Sequence, residues 1–186
     1  MKKTLLFLLN NKETILIFLS ISIFAIGKGK TYLNFTGIIK KYFKSFIGKN
    51  KGSVSALIIT PLFLSIAIGI KKPIDDNLLE LITVTISILM SLFFTYLSFF
   101  QGYYEKVVSE IQDYNIKSLK SIFVKETKII ASYEILLSII ILVLCFSFEL
   151  FPKEIELIFR IILYFLFFHM LMNLFVLLKR YENSSY

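Results

Sequence analysis

The sequence predicts an all-α, polytopic helical membrane protein, and three observations support that prediction. Of the 186 residues, 56% are hydrophobic and only 18% are charged, whereas about a quarter of a soluble domain is charged. The apolar residues form long uninterrupted runs, as in transmembrane helices. The lysines cluster beside those runs, as expected of loops that face anionic lipid at the cytoplasmic surface. The net charge of +8 therefore indicates membrane topology, and we predict no nucleic-acid partner.

Residues 1–30 are predicted to form an interfacial segment followed by a marginal span. A polar Asn-Asn-Lys-Glu sequence interrupts the apolar run and no small-residue cleavage motif follows it, which argues against a signal peptide. Residues 14–26 would cover only about 20 Å, which is short for a span. A re-entrant segment is one alternative. Another is a single long helix, which would bury a lysine and a glutamate at roughly 3 kcal/mol each.

Residues 31–52 are predicted to form a basic amphipathic helix on the membrane surface. Three lysines, Lys40, Lys41 and Lys44, alternate with apolar residues at helical spacing. Such a helix lies in the plane of the interface, with its cationic side toward anionic headgroups. The apolar residues are Phe35, Ile38, Ile39, Tyr42, Phe43, Phe46 and Ile47.

Residues 53–100 are predicted to form a transmembrane hairpin. Its first span contains Pro61, which should kink the helix and which shares a face with Ser65 and Gly69. Small residues at that spacing allow another helix to approach closely in a membrane. A short turn joins the two spans, so they are predicted to be antiparallel neighbours.

The second span, residues 78–100, is long enough at about 34 Å to cross a bilayer. Asn77 and Glu80 resemble a capping box at its start. One side of the helix carries polar residues at intervals of three or four, which we call the polar stripe. Its members are Thr83, Ser87, Ser91, Thr95, Ser98 and Gln101. The stripe is predicted to be a helix-packing seam or the wall of a wet path, and packing is favoured because small residues commonly join membrane helices.

Three further segments complete the predicted organisation. Residues 101–128 are predicted to extend the flanking spans as two helices that fold against each other into a cytoplasmic stalk. Residues 129–178 are predicted to form a second hairpin, so the chain has four predicted spans in two hairpins. Residues 179–186 form a short polar tail.

His169 and Asn173 are the most polar residues within the last span, and they share one face of it. Both are costly against lipid, so they are predicted to face other helices or a wet cavity. An interhelical hydrogen bond is the favoured interpretation, and a pore-lining or proton-sensitive pair is the alternative. Glu134 is predicted to reach the interface or to meet Lys125 or Lys128, and a place in an ion pathway is the alternative.

Two other patterns in the second hairpin predict structural contacts. Ala131, Ser138 and Cys145 repeat every seven residues, which indicates a close-packing seam. Glu156 and Arg160 are four residues apart in the order that stabilises an ion pair on a helix.

The distribution of lysines predicts the orientation of the chain. Residues 28–51 and 101–128 contain most of the lysines, and Lys179 and Arg180 follow the last span. The basic helix, the stalk and the C-terminus are therefore predicted to be cytoplasmic, in a bacterial inner membrane. An aromatic belt at that boundary is predicted from Tyr103, Tyr104, Tyr133 and Tyr181.

Motifs of common catalytic and metal sites are missing from the sequence. It contains no GxSxG, HExxH or P-loop motif. One histidine and one cysteine are too few for a zinc site. We therefore expect a non-enzymatic protein without a cofactor.

In span number, size and the cytoplasmic extension at 101–128, the chain resembles the small multi-span membrane effectors of bacterial anti-phage defence. That resemblance implies a protein that depolarises or permeabilises the inner membrane. The leading hypothesis is a channel-like or membrane-perturbing homo-oligomer, gated when its cytoplasmic segments receive a protein or small-molecule signal. The alternative is a non-conducting membrane adaptor, such as an accessory subunit of an export complex or an immunity protein.

Overall fold

The computed structural model describes residue 19 and residues 35–47, 51–110, 114–148 and 153–184, and nearly all of them are helical. The α-helices are α1 Phe35–Tyr42, α2 Lys51–Val54, α3 Thr60–Lys71, α4 Asp76–Glu110, α5 Tyr114–Phe146 and α6 Lys153–Ser184. Two π-helical turns, Phe43–Ile47 and Ser55–Ile59, follow α1 and α2. The predicted N-terminal segment 1–30 lies outside the described residues, apart from Leu19.

Three helical segments in the described part of the chain are long and apolar enough to cross a membrane. They are Asp76–Gly102 in α4, Lys120–Phe146 in α5 and Ile155–Lys179 in α6. The shortest has 25 residues, more than the roughly 20 that a bilayer requires. The apolar helix that precedes them, Ser55–Lys71, is shorter. The structure therefore confirms a helical protein with helices suited to a membrane.

Helix α5 lies at the centre of the bundle. It packs against α1, α4 and α6, and α6 also packs along α3. The buried residues of α5 include Ala131, Ser138 and Cys145, which confirms that the seven-residue repeat is a packing seam. Within the candidate span of α4 only Ile82, Ile86, Phe93 and Phe100 are buried, so most of this span lies on the outside of the chain.

Helix α3 packs along α6, although the sequence predicted that it would lie beside α4. Residues 72–75 form a non-helical loop whose first residue is extended, which separates the end of α3 from the start of α4. Pro61, Ser65 and Gly69 are buried, and Gly69 lies against α6. The predicted close approach therefore occurs, but with a helix that is distant in the sequence.

Replacing Gly69 with alanine should lower the free energy of unfolding by about 1–2 kcal/mol. A Cβ atom at Gly69 would lie 2.9 Å from Ile161 Cγ1 and 3.5 Å from Ile161 Cα, so either the Ile161 side chain or the two helices must shift. The matched control is Gly102→Ala, because a Cβ at Gly102 meets nothing within 4 Å. Alanine there should be neutral or stabilising by up to about 1 kcal/mol. Unfolding in detergent measures both, and equal stabilities would contradict the predicted close approach.

Asp75, rather than Asn77, caps the start of α4. The Leu78 N–H donates to Asp75 Oδ1 at 2.9 Å, and the Leu79 N–H donates to the Asp75 carbonyl at 3.0 Å. Since α4 begins at Asp76, Asn77 lies within its first turn and is too late to be the capping residue. The predicted capping box was therefore wrong.

Helices α4 and α5 both continue beyond their candidate spans. α4 runs to Glu110 and α5 starts at Tyr114, so the described part of 101–128 is helical. α6 likewise continues to Ser184, through most of the predicted tail 179–186.

Candidate functional site

Five polar side chains meet inside the bundle and form what we call the polar cluster. They are Tyr42 of α1, Tyr133 and Glu134 of α5, and His169 and Asn173 of α6. Tyr42 and Glu134 have no exposed surface, and the other three are at most 8% exposed. The sequence singled out His169 and Asn173 as a pair turned toward other helices, and both lie in the cluster.

Local structure explains why these residues meet. His169 and Asn173 are four residues apart on α6, so they point to the same side of the helix. Tyr133 and Glu134 are adjacent on α5, and both are buried because three helices surround α5. Tyr42 is the last residue of α1, directly before the π-helical turn Phe43–Ile47.

Asn173 contacts three other members of the cluster. Its Oδ1 accepts a hydrogen bond from the Tyr42 hydroxyl at 2.6 Å, and its Nδ2 donates to Glu134 Oε1 at 2.6 Å. Nδ2 also lies 3.3 Å from His169 Nε2. An amide accepts through oxygen and donates through nitrogen, so its oxygen is directed toward α1 and its nitrogen toward α5. Asn173 thus links three helices.

His169 donates to a carbonyl in the π-helical turn Ser55–Ile59, and a proline removes the α-helical donor of that carbonyl. His169 Nδ1 lies 2.6 Å from the Leu57 carbonyl oxygen, which can only accept, so Nδ1 carries the proton. In an α-helix that carbonyl would accept from the residue four positions later, but that residue is Pro61, which has no N–H. The other ring nitrogen, Nε2, then accepts from the Tyr133 hydroxyl at 3.1 Å. The histidine therefore joins α5 and α6 to the turn before α3.

The aromatic rings of the cluster add a second contact between α1 and α5. The Tyr42 and Tyr133 rings are stacked, with centroids 3.8 Å apart and planes 3° apart. Both are nearly perpendicular to the His169 ring. Burial raises the pKa of the Tyr42 hydroxyl above its ordinary value, so this group stays protonated and donates to Asn173. Stacking and hydrogen bonding together attach α1 to the bundle.

Glu134 is a buried member of this cluster, and its predicted contact with the interface or with a lysine was wrong. Its side chain has no exposed surface, and Oε1 accepts from Asn173. Among the described residues, no donor forms a hydrogen bond with Oε2. The reason for the difference is the position of α1, whose Tyr42 covers this part of α5.

The polar stripe of α4 lies mainly on the outer surface of the chain. All its members are exposed except Thr83, which is half-buried. Each hydroxyl donates to a carbonyl of its own helix four residues earlier, at distances from 2.8 to 3.0 Å. Each of these hydroxyls therefore forms its donor hydrogen bond within α4 and needs no partner on another helix. The exposed part of the stripe is available to lipid or to another protein chain.

The predicted membrane-surface lysines, Lys40, Lys41 and Lys44, are exposed. Two residues of the opposite, apolar side, Tyr42 and Phe46, are buried in the hydrophobic core of the bundle. Phe43 of the same side is exposed. The apolar side of the basic helix therefore contacts the protein, a contact that the prediction of a membrane-surface helix did not include.

The predicted ion pair on α6 is confirmed. Arg160 Nη2 donates to Glu156 Oε1 at 2.6 Å. The same guanidinium donates through Nη1 to the Gly69 carbonyl at 3.2 Å, so the pair also connects α6 to α3.

Sequence reasoning missed three parts of the cluster: Tyr42, Tyr133 and the Leu57 carbonyl. Tyr133 was predicted for an aromatic belt but is buried, and the side chains of the other three belt tyrosines lie outside the described part. One signal was present, because Pro61 supplies no backbone N–H, so the carbonyl four residues earlier is open to another donor such as a polar side chain. Nothing in the sequence indicated which helix would supply that side chain.

In the described part of the chain, no group of three or more histidine, cysteine, aspartate and glutamate residues could hold a metal ion.

Comparisons with protein-family models, with curated proteins and with solved structures found no significant match to this chain.

Proposed function

We propose that the chain is a non-enzymatic, multi-pass protein of the bacterial inner membrane whose copies assemble into a channel-like or membrane-perturbing homo-oligomer. In this proposal the chain crosses the membrane four times in alternating directions, with Ser55–Lys71 as the first span, packed on α6 rather than on α4. At about 25 Å that helix is short, so the bilayer thins locally or flanking side chains reach the interface. With four spans, the basic helix, the 101–128 stalk and the C-terminus all lie on the same side of the membrane. The lysine distribution indicates that this side is cytoplasmic.

The observation that carries this proposal is the exposure of the polar stripe on α4. Its exposed members extend from Ser87 to Gln101, over most of the candidate span. Side chains such as Ile86, Phe93, Ile141 and Leu163 fill the core of the single chain. A polar path therefore has to form between copies, with the stripes of neighbouring α4 helices facing each other.

The polar cluster supports the gating part of the proposal. The basic helix carries Lys40, Lys41 and Lys44 on its exposed side, and it contacts the bundle through Tyr42. A protein, lipid or small molecule that displaces this helix has to break the bond from Tyr42 to Asn173 on α6. Movement of the cytoplasmic segment is in this way coupled to a membrane helix.

The proposal includes a role in anti-phage defence, because the chain resembles small membrane effectors of such systems in span number, size and cytoplasmic extension. The partners that it implies are anionic lipid at the cytoplasmic face, further copies of the chain and a cytoplasmic signal. No nucleic acid is expected among them.

A non-conducting membrane adaptor, such as an export-complex subunit or an immunity protein, is the second candidate. The observation that favours it is the local bonding of the stripe, since each hydroxyl donates within its own helix. Such a face suits dry, close packing against a partner helix as well as it suits water.

Ser91→Leu should reduce ion flux into liposomes to the rate of empty liposomes. Leucine removes an exposed hydroxyl in the middle of the stripe and adds apolar volume where copies are proposed to meet. The matched control is Leu92→Phe, because Leu92 is 56% exposed and lies about 100° around the helix from Ser91. This control adds volume at the same depth and should leave the flux unchanged.

Cross-linking in lipid completes the test. Ser91→Cys in a Cys145→Ser background should form cross-linked dimers if stripes face each other. Cross-linked copies that pass no ions under any applied signal would favour the adaptor. A monomer in lipid without ion flux would exclude the homo-oligomeric channel.

A further inference from the structure

A cavity of about 300 Å³ lies between α4 and α5, apart from the polar cluster. Its apolar lining residues are Leu97, Phe100 and Val124, and its polar lining residues are Gln101, Ser121, Lys125 and Lys128. No member of the polar cluster lines it. The cavity therefore combines an apolar surface with a polar one, at a site not used by the contacts described above.

The polar side of the cavity is cationic. Lys125 and Lys128 are one turn apart on α5, and both are exposed. None of the lining residues is acidic, and Glu126, which lies between the two lysines in sequence, is not among them. Gln101 contributes an amide and Ser121 a hydroxyl. Two ammonium groups beside neutral donors suit a phosphate group.

The other side of the cavity is a firm apolar surface. Phe100 is 4% exposed and Val124 is 7% exposed, so both are held by the packing of α4 on α5 and form the floor of the cavity, while the half-buried Leu97 presents more of its side chain. Inorganic phosphate or a hydrophilic nucleotide gains nothing from this surface, whereas an acyl chain loses contact with water there. The lining as a whole therefore favours an amphiphile with an anionic head.

The depth of the cavity along the helices suits the same class of ligand. Gln101 is one residue before the end of the candidate span in α4. Lys128 directly precedes the apolar run that starts at Ile129. The candidate span of α5 starts earlier, at Lys120. In a topology in which the membrane begins at Ile129, both positions lie where headgroups meet acyl chains, and basic pockets between membrane helices at this level bind lipid headgroups.

We propose that this cavity binds one anionic phospholipid per chain. Its phosphate lies against Lys125 and Lys128, and the part of its acyl chain nearest the headgroup lies against Phe100 and Val124. The inference depends on membrane insertion but not on ion conduction or self-assembly. Its outcome can therefore be separated from that of the proposed function.

Native mass spectrometry of the full-length protein in detergent tests this site. Titration with phosphatidylglycerol should give one tightly bound lipid per chain, and phosphatidylcholine should bind at least tenfold more weakly. The double variant Lys125→Gln and Lys128→Gln should weaken phosphatidylglycerol binding about thirtyfold, roughly fivefold for each lysine. The matched control, Lys117→Gln with Lys120→Gln, removes two exposed charges from the same helix outside the cavity and should bind like the natural chain.

Three results would overturn the proposal. Equal weakening in both double variants would show that only the overall charge matters. Equal binding of phosphatidylcholine would show that the lysines do not select the headgroup. Binding of glycerol 3-phosphate as tight as that of the lipid would make this a site for a soluble phosphate. If the glutamine variant does not fold, Lys125→Arg with Lys128→Arg keeps the charge and should retain the bound lipid, and its loss would also contradict the proposal.

Discussion

Replacing Asn173 with leucine is expected to lower the free energy of unfolding by about 3 kcal/mol. Asn173 bonds to Tyr42 and Glu134 and approaches His169, and interhelical hydrogen bonds in membranes contribute roughly 0.6–1.7 kcal/mol each. Leucine has the same branched side-chain skeleton and is not smaller than asparagine, so the loss does not come from a cavity. The Tyr42 hydroxyl would lose its acceptor and the Glu134 carboxyl its donor, both inside the bundle. Reversible unfolding in micelles measures the change.

Ser138→Ala is the matched control for this substitution. Ser138 is also fully buried on α5, but its hydroxyl donates to the Glu134 carbonyl of its own helix and otherwise only approaches Met170 Sδ. Its loss should cost less than about 1 kcal/mol. If the two variants were equally stable, the polar cluster would not contribute to holding the helices together.

A double-mutant cycle with Tyr42→Phe locates the interaction. Phenylalanine keeps the ring that stacks on Tyr133 and removes only the hydroxyl. In a background with Asn173→Leu, this second change should cost nothing further, because its acceptor is already absent. The two single changes should therefore be non-additive by about 0.5–2 kcal/mol. Additive changes would show that the Tyr42–Asn173 bond has no energetic effect.

Replacing His169 with phenylalanine should cost about 2 kcal/mol, and Pro61→Ala should recover part of that loss. The Leu57 carbonyl accepts from His169 Nδ1, and without the imidazole it loses that donor, while the α-helical donor four residues later is missing because residue 61 is a proline. Alanine at position 61 restores an N–H four residues after Leu57. Unfolding of the two single variants and the double variant measures the recovery.

The control is Pro61→Ala in the natural background. In that background His169 already donates to the Leu57 carbonyl, so the new N–H at position 61 should not stabilise the protein by bonding to this carbonyl. The predicted result is a gain from Pro61→Ala that appears only when His169 is absent. An identical effect in both backgrounds would mean that His169 and Pro61 are not linked through Leu57.

The helices of this protein could be predicted from its sequence because their causes are local. Long apolar runs account for the three candidate spans, and a seven-residue repeat accounts for the buried seam on α5. Spacing along a helix also predicted the Glu156–Arg160 pair and the small-residue face at Gly69. Each of these features depends on residues within one helix, so its geometry follows from the helical period.

Only the tertiary structure shows which helix packs against each helical face. The sequence predicted that α3 would lie beside α4, but its small-residue face packs on α6. It also predicted Glu134 at the interface or beside a lysine and Tyr42 on a membrane-surface helix, whereas both are buried in the polar cluster. A helical period identifies which residues share a face but not which helix covers that face. The polar cluster combines side chains from three helices, and their hydrogen bonds exist only once tertiary packing has brought those helices together.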